Sequence, residues 1–307
     1  MDNSELQGKG IKGLLQRRSF LTKAGILGAS AAAASVLASA PLQASGPDLD
    51  DRDNHSGDTP LEIFTAALIA EDLATTFYYH GLTGKVITDP NLAGPGGSAT
   101  DVTTNGNEGN VEYVRAALSE EIAHADLLRT LIGGKNATTD PVQTFYFPKG
   151  SFDTLAAFTK LLDALENAFI GAYLNATLEF AQMSADTRSG IQRQKDSTGK
   201  LYLASDLEYY AQVSAAIMGI ESEHRVLGRV ISNTNPANNL NYEQTDGLTS
   251  VYNGPHSAVV ALTPFLAPGA GKEAHSLKYA LQGAPTVTLP TTGGLPPAPP
   301  AAKDDDR

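Results

Sequence analysis

The sequence predicts an all-α fold, a four-helix bundle with long loops and an irregular C-terminal tail. Three observations predict it. Four segments keep apolar residues at helical spacing for more than 20 residues each. Gly-, Pro- and Asn-rich stretches separate those segments, and inward-facing glutamates recur at matching places in the first and second halves of the chain.

The first helix is expected at about 60–81. Asp58 or Thr59 offers a cap, Pro60 sits in the first turn, and LEIFTAALIAEDLATTFYYHGL carries the apolar stripe as far as Gly81. Residues 82–109 are rich in Gly, Thr, Asn and Asp and read as a long connection. The second helix follows at about 110–132 and is stopped by Gly133-Gly134. A loop holding Pro141 and Pro148 leads to Ser151 as the expected cap of a third helix, about 152–186. A charged turn separates it from a fourth helix, about 200–232. At about 1.5 Å per residue each helix spans roughly 30 Å or more.

The ends of the chain read differently. Arg17-Arg18-Ser19-Phe20-Leu21 precedes a weakly apolar, alanine-rich run from Ala24 to Ala40. That order of charge, apolar run and small residues predicts a signal peptide over 1–44, similar to the twin-arginine type whose translocon exports folded proteins. Pro41 spoils Ala38-Ser39-Ala40 as a cleavage site, so cutting is expected after Leu42-Gln43-Ala44. The expected location is therefore periplasmic or extracellular, with the export machinery as a partner and no stable membrane span after cleavage. Residues 45–59 read as a flexible linker, 60–232 as the bundle, and 233–307 as an irregular, Pro/Gly-rich extension. Apolar matter at 257–282 remains unassigned.

Composition narrows the chemistry. A formal charge of −12 argues against nucleic acid as a partner. The chain has no cysteine, so disulfides, thiolate sites and iron–sulfur clusters are excluded. Any metal must be held by oxygen and imidazole nitrogen.

Two of the six histidines follow a glutamate by three places, in Glu121-Ile122-Ala123-His124 and Glu221-Ser222-Glu223-His224. Residues i and i+3 project from one helix face, so each pair points together. Glu71 has Ala67, Leu68, Ala74 and Tyr78 around it on its face, and Glu166 has Leu162, Asp163, Phe169 and Tyr173. Both glutamates are thus expected to point inward. Taken singly, each of these residues reads as an ordinary helix residue; the conjunction of six on four helices carries the inference. Unpaired buried carboxylates cost several kcal/mol or take up protons. Two divalent cations would balance four glutamates, and two imidazoles would complete the ligand set; that the ions are iron or manganese is what the resemblance drawn below implies. Tyr78 and Tyr173 stand either as core aromatics or as donors to the ligands. Glu120, Asp126 and Glu223 are expected to face solvent or another helix. His80 is set aside as a ligand, and His55, His256 and His275 are expected at the surface.

The halves look like copies. EIAHADLLR and ESEHRVLGR align Glu, His, Leu and Arg, and the ligands repeat at offsets of 95 (Glu71 to Glu166) and 100 (Glu121 to Glu221) residues. AEDLATTFYYHGL, VEYVRAALSEEIAHADLLRTLIG and FTKLLDALENAFIGAYLNATLEFA together resemble the ferritin-like superfamily, and more narrowly exported proteins related to plant desiccation-associated proteins. The doubled ligand set is most similar to bacterioferritin or rubrerythrin, without the cysteines that rubrerythrin's electron-transfer module needs. The resemblance implies that Glu121 and Glu221 bridge two ions, with Glu71, Glu166, His124 and His224 as terminal ligands. It implies a di-metal oxidoreductase acting on Fe(II), dioxygen or peroxide. Two alternatives stay open: a non-catalytic stress or envelope protein with structural metals, and a subunit of an iron-storage cage. Whether the chain forms a homo-oligomer also stays open.

Overall fold

The structure is a computed structural model and describes residues 58–88, 110–133, 137–191, 195, 199–232, 249 and 258–283. The signal and linker over 1–57, residues 89–109 of the long connection and the last 24 residues lie outside the described residues. Four long helices make the body: α1 Pro60–Thr83, α2 Asn110–Leu131, α3 Leu155–Ser189 and α4 Ala204–Ile231. α1 packs along α2, and α3 along α4; the pairs then meet through α1–α3 and α2–α4 contacts.

Local chemistry sets the helix ends. Thr59 and Glu62 form a reciprocal capping box, with Pro60 at the first helical position. α3 starts three residues later than expected: Thr154, not Ser151, caps it by accepting from the Ala157 N–H at 3.2 Å. The Ser151 hydroxyl instead donates to the Pro148 carbonyl at 2.7 Å, closing the preceding turn. α3 also runs on to Ser189, where Gly190 adopts φ 72° and its N–H meets the Asp186 and Thr187 carbonyls. α4 begins at Ala204, four residues later than expected, with Asp206 accepting from the Leu203 N–H at 3.1 Å. Gly81 does not end α1. It lies inside the helix where Phe158 of α3 crosses, and a Cβ at Gly81 would come within 2.3 Å of the Phe158 ring.

Two features were not visible in the sequence pattern. Residues 144–148 form a strand, β1 Thr144–Pro148, which pairs antiparallel with β2 Lys272–Ser276 in the register Phe145↔His275 and Phe147↔Glu273. Within the C-terminal extension, β2 is flanked by short helices α5 Ala258–Leu262 and α6 Leu277–Gly283. α6 packs on α1 and α5 on α3, so this segment closes one end of the bundle. Phe77, Phe147, Phe152, Phe158 and Phe265 build an aromatic plug beneath it, with Phe77 and Phe158 stacked at 4.7 Å. The opposite end is filled by Phe64, Leu68, Leu128, Phe180 and Leu207. Between the two apolar ends lies a polar layer.

Candidate metal centre

Each of the four long helices sends one glutamate into that layer. Glu71 is 2% exposed, while Glu121, Glu166 and Glu221 are fully buried. The two histidines join them, one helical turn beyond Glu121 and Glu221. Ligand atoms of Glu71, Glu121, His124 and Glu221 all lie within 4.8 Å of one another, and so do those of Glu121, Glu166, Glu221 and His224. Glu121 and Glu221 belong to both groups. The six residues singled out in the sequence therefore come together as two overlapping clusters that share two carboxylates, and such groups could hold metal.

Both imidazoles face the layer through Nδ1. His124 Nδ1 lies 3.2 Å from Glu71 Oε2 and 3.3 Å from Glu221 Oε1, with Glu121 Oε2 at 3.9 Å. His224 Nδ1 lies 3.0 Å from Glu121 Oε1 and 3.4 Å from Glu221 Oε2. These are ion-pair distances, yet both oxygens of Glu121 and of Glu221 and Nδ1 of His224 lack an aligned hydrogen bond among the described residues. One oxygen of Glu166 is in the same position. Buried polar atoms of this kind are normally satisfied. Donor atoms of this kind, gathered within 4.8 Å of one another, fit a metal cation held by oxygen and imidazole nitrogen.

Two tyrosines support the layer. Tyr78 donates to Glu166 Oε1 at 2.6 Å, and Tyr173 donates to Glu71 Oε1. Both expected roles are seen together: each hydroxyl donates to a glutamate and each ring packs in the core. Burial first, and then the charge of the nearby glutamates, raises both phenol pKa values well above the usual range, so both tyrosines keep their protons.

Electrostatics show how the ligands balance without cations. Burial raises the carboxyl pKa of Glu121 and Glu166 well above the usual range, and the Glu221 charge adds to the rise. Burial also opposes ionisation of Glu221, but the close imidazoles of His124 and His224 outweigh it and hold that carboxyl well below its ordinary value. For His124, burial opposes the charged form, while the charge of Glu71, its hydrogen bond and the close Glu221 carboxylate push the imidazole up to about 10. His224 moves in the same direction against burial, held by Glu120, Glu121 and Glu221.

Outside the clusters, buried arginines tie the helices to one another. Arg129 of α2 reaches Asp72 of α1 at 2.7 Å and Asp140 before β1 at 2.8 Å. In the second half Arg229 pairs with Asp163 at 3.0 Å, and Arg225 donates to Asn167 at 2.9 Å. The pairing is rewired because Asn167 stands where the first half has Asp72.

Several residues that sequence reasoning placed at the edge have definite contacts. Glu120 faces another helix and binds the Nε2 of His224 at 2.8 Å. Asp126 meets Arg129 at 2.7 Å. His275 is on β2, half-buried, with its ring 4.3 Å from that of His80 and 5.1 Å from Phe152; neither histidine belongs to the six-residue layer. His55 and His256 lie outside the described residues.

No curated protein and no solved structure matches the chain. Residues 59–187 match the family model of the ferritin-like domain. The match spans α1, α2 and α3 with Glu71, Glu121, His124 and Glu166, while α4 with Glu221 and His224 follows it. The match marks residues 59–187 as a ferritin-like domain, and the mostly helical body with its buried glutamate and histidine layer supports a place in the ferritin-like superfamily.

Proposed function

We propose that the layer holds two divalent ions, iron or manganese, and that the protein is an exported redox protein acting on Fe(II), dioxygen or peroxide. The observation that carries this reading is the pair of overlapping clusters sharing Glu121 and Glu221. Glu121 and Glu221 would bridge the ions, Glu71 and His124 would complete one position, and Glu166 and His224 the other. Four carboxylates balance two divalent charges, which removes the cost of burying them unpaired. A carboxylate-bridged pair of iron or manganese ions would supply electrons to, or take them from, the small oxidant. The chain's own part is to orient and to exclude. Tyr78 and Tyr173 fix Glu166 and Glu71, the two imidazoles present Nδ1, and the aromatic plug keeps bulk water from one side. Export rests on the Arg17-Arg18 signal. Folding before export would let the site load in the cytoplasm, where tightly binding copper and zinc are held low.

The test is consumption of dioxygen or peroxide by protein loaded with Fe(II) or Mn(II). Turnover by wild type and its loss in the E121A/E221A variant would support the redox reading. Metal retention without turnover would favour a structural site in a stress or envelope protein. A particle mass many times that of the chain would favour the storage cage.

A further inference from the structure

The two clusters differ in one residue that lies outside both. His224 presents Nδ1 to Glu121 and Glu221, and its other ring nitrogen, Nε2, lies 2.8 Å from Glu120 Oε2. Glu120 immediately precedes Glu121 on α2, and its side chain, 43% exposed, reaches inward from the solvent side. The offset of 100 residues that superposes Glu121 on Glu221 places Ile220 at the corresponding position of α4. Ile220 offers no acceptor, and among the described residues the contacts of His124 with carboxylates all run through Nδ1, with none at Nε2. Exposure differs in the same sense: the His124 side chain is 12% exposed and that of His224 is 3%.

A carboxylate that accepts the second N–H of a metal-binding imidazole does three things. It fixes the tautomer, leaving the lone pair on the other nitrogen; it fixes the ring orientation; and it makes that nitrogen a stronger donor. Losing such a partner typically costs about 10–100-fold in metal affinity.

We propose that Glu120 is a positioning residue for His224 and that it makes the two metal positions unequal. The ion held with His224 is the tightly bound one, and the ion held with His124 exchanges. This rests on the two-ion reading above.

The test is calorimetric titration of the metal-free protein with Mn(II). Wild type should show two steps at least about tenfold apart in affinity. In an H124A background, which leaves the His224 position, E120A should weaken Mn(II) binding about 10–100-fold. In an H224A background E120A should change nothing. E120Q, which still accepts a hydrogen bond but carries no charge, should recover part of the loss. Metal-free E120A should keep the helical content and cooperative thermal transition of wild type, separating positioning from a fold defect. Equal weakening by E120A in both backgrounds, or weakening in neither, would overturn the proposal. Wild type that binds no Mn(II) would instead sink the two-ion reading, and this inference with it.

Discussion

Tyr78 of α1 donates its hydroxyl to Glu166 of α3 at 2.6 Å, and its counterpart Tyr173 of α3 donates to Glu71 of α1. Each half of the bundle thus holds the inward carboxylate of the other. Removing either hydroxyl leaves a buried carboxylate oxygen short of a donor, at a cost of about 1–3 kcal/mol. Tyr78→Phe and Tyr173→Phe should each lower the stability of the metal-free protein by that amount, in chemical denaturation at neutral pH. The reciprocal arrangement makes the two losses similar. A loss in one variant and none in the other would show that the halves do not support each other.

Metal uptake should release protons. Burial holds Glu121 and Glu166 protonated above the usual range, and the imidazole of His124 titrates at about 10, so at neutral pH the layer carries protons that a cation must displace. Apparent affinity should therefore rise with pH, by about tenfold per unit for each proton released. Titrations in buffers of different ionisation enthalpy would count those protons. An affinity independent of pH between 6 and 8 would contradict the proton-sharing layer.

His80 predicts a second pH effect, distant from that layer. Burial, with the charge of His275 beside it, lowers the His80 pKa from its usual 6.5 to about 4. A depressed folded value means that the unfolded chain takes the proton first as pH falls. The stabilising effect is present above about 6.5 and is lost as pH drops toward 4. His80→Phe keeps an aromatic ring and removes the titration. Its unfolding free energy should fall less steeply than that of wild type across this window, measured on metal-free protein. Parallel curves would show that His80 is not buried as described.

How much of this was legible in the sequence depends on the range of the contact. α1 and the ligand spacing show in local periodicity, since the 3.6-residue repeat and the Glu-x-x-His offset are properties of a single helix. β1 was not legible. Thr-Phe-Tyr-Phe-Pro sits between prolines, and its partner Lys272–Ser276 lies more than a hundred residues on, so nothing local announces the pairing. His275 looked like a loop residue for the same reason. The start of α3 was misplaced because Ser151, Asp153 and Thr154 are all capping residue types, and the turn that takes the Ser151 hydroxyl decides among them. Glu120 left one faint signal, a charged residue in the first half opposite Ile220 in the second.

The close crossing of α1 and α3 gives a steric prediction. Alanine normally favours a helix interior over glycine by about 1 kcal/mol. At Gly81 the new methyl would press into the Phe158 ring, so Gly81→Ala should destabilise by about 1–3 kcal/mol despite that preference. Phe158→Leu in the same chain should recover part of the loss, as a thermal or denaturant double-mutant cycle would show. A stabilised Gly81→Ala protein would mean that the two helices do not approach as closely as described.

The central claim is that Glu121 and Glu221 serve two ions at once. The most direct measurement is the metal content per chain, by elemental analysis after loading with Fe(II) or Mn(II) and removal of free metal, in wild type and in E121A/E221A. The account predicts about two ions per chain in wild type and neither in the variant, because each position loses both shared carboxylates. A folded variant that retains two tightly bound ions would contradict it.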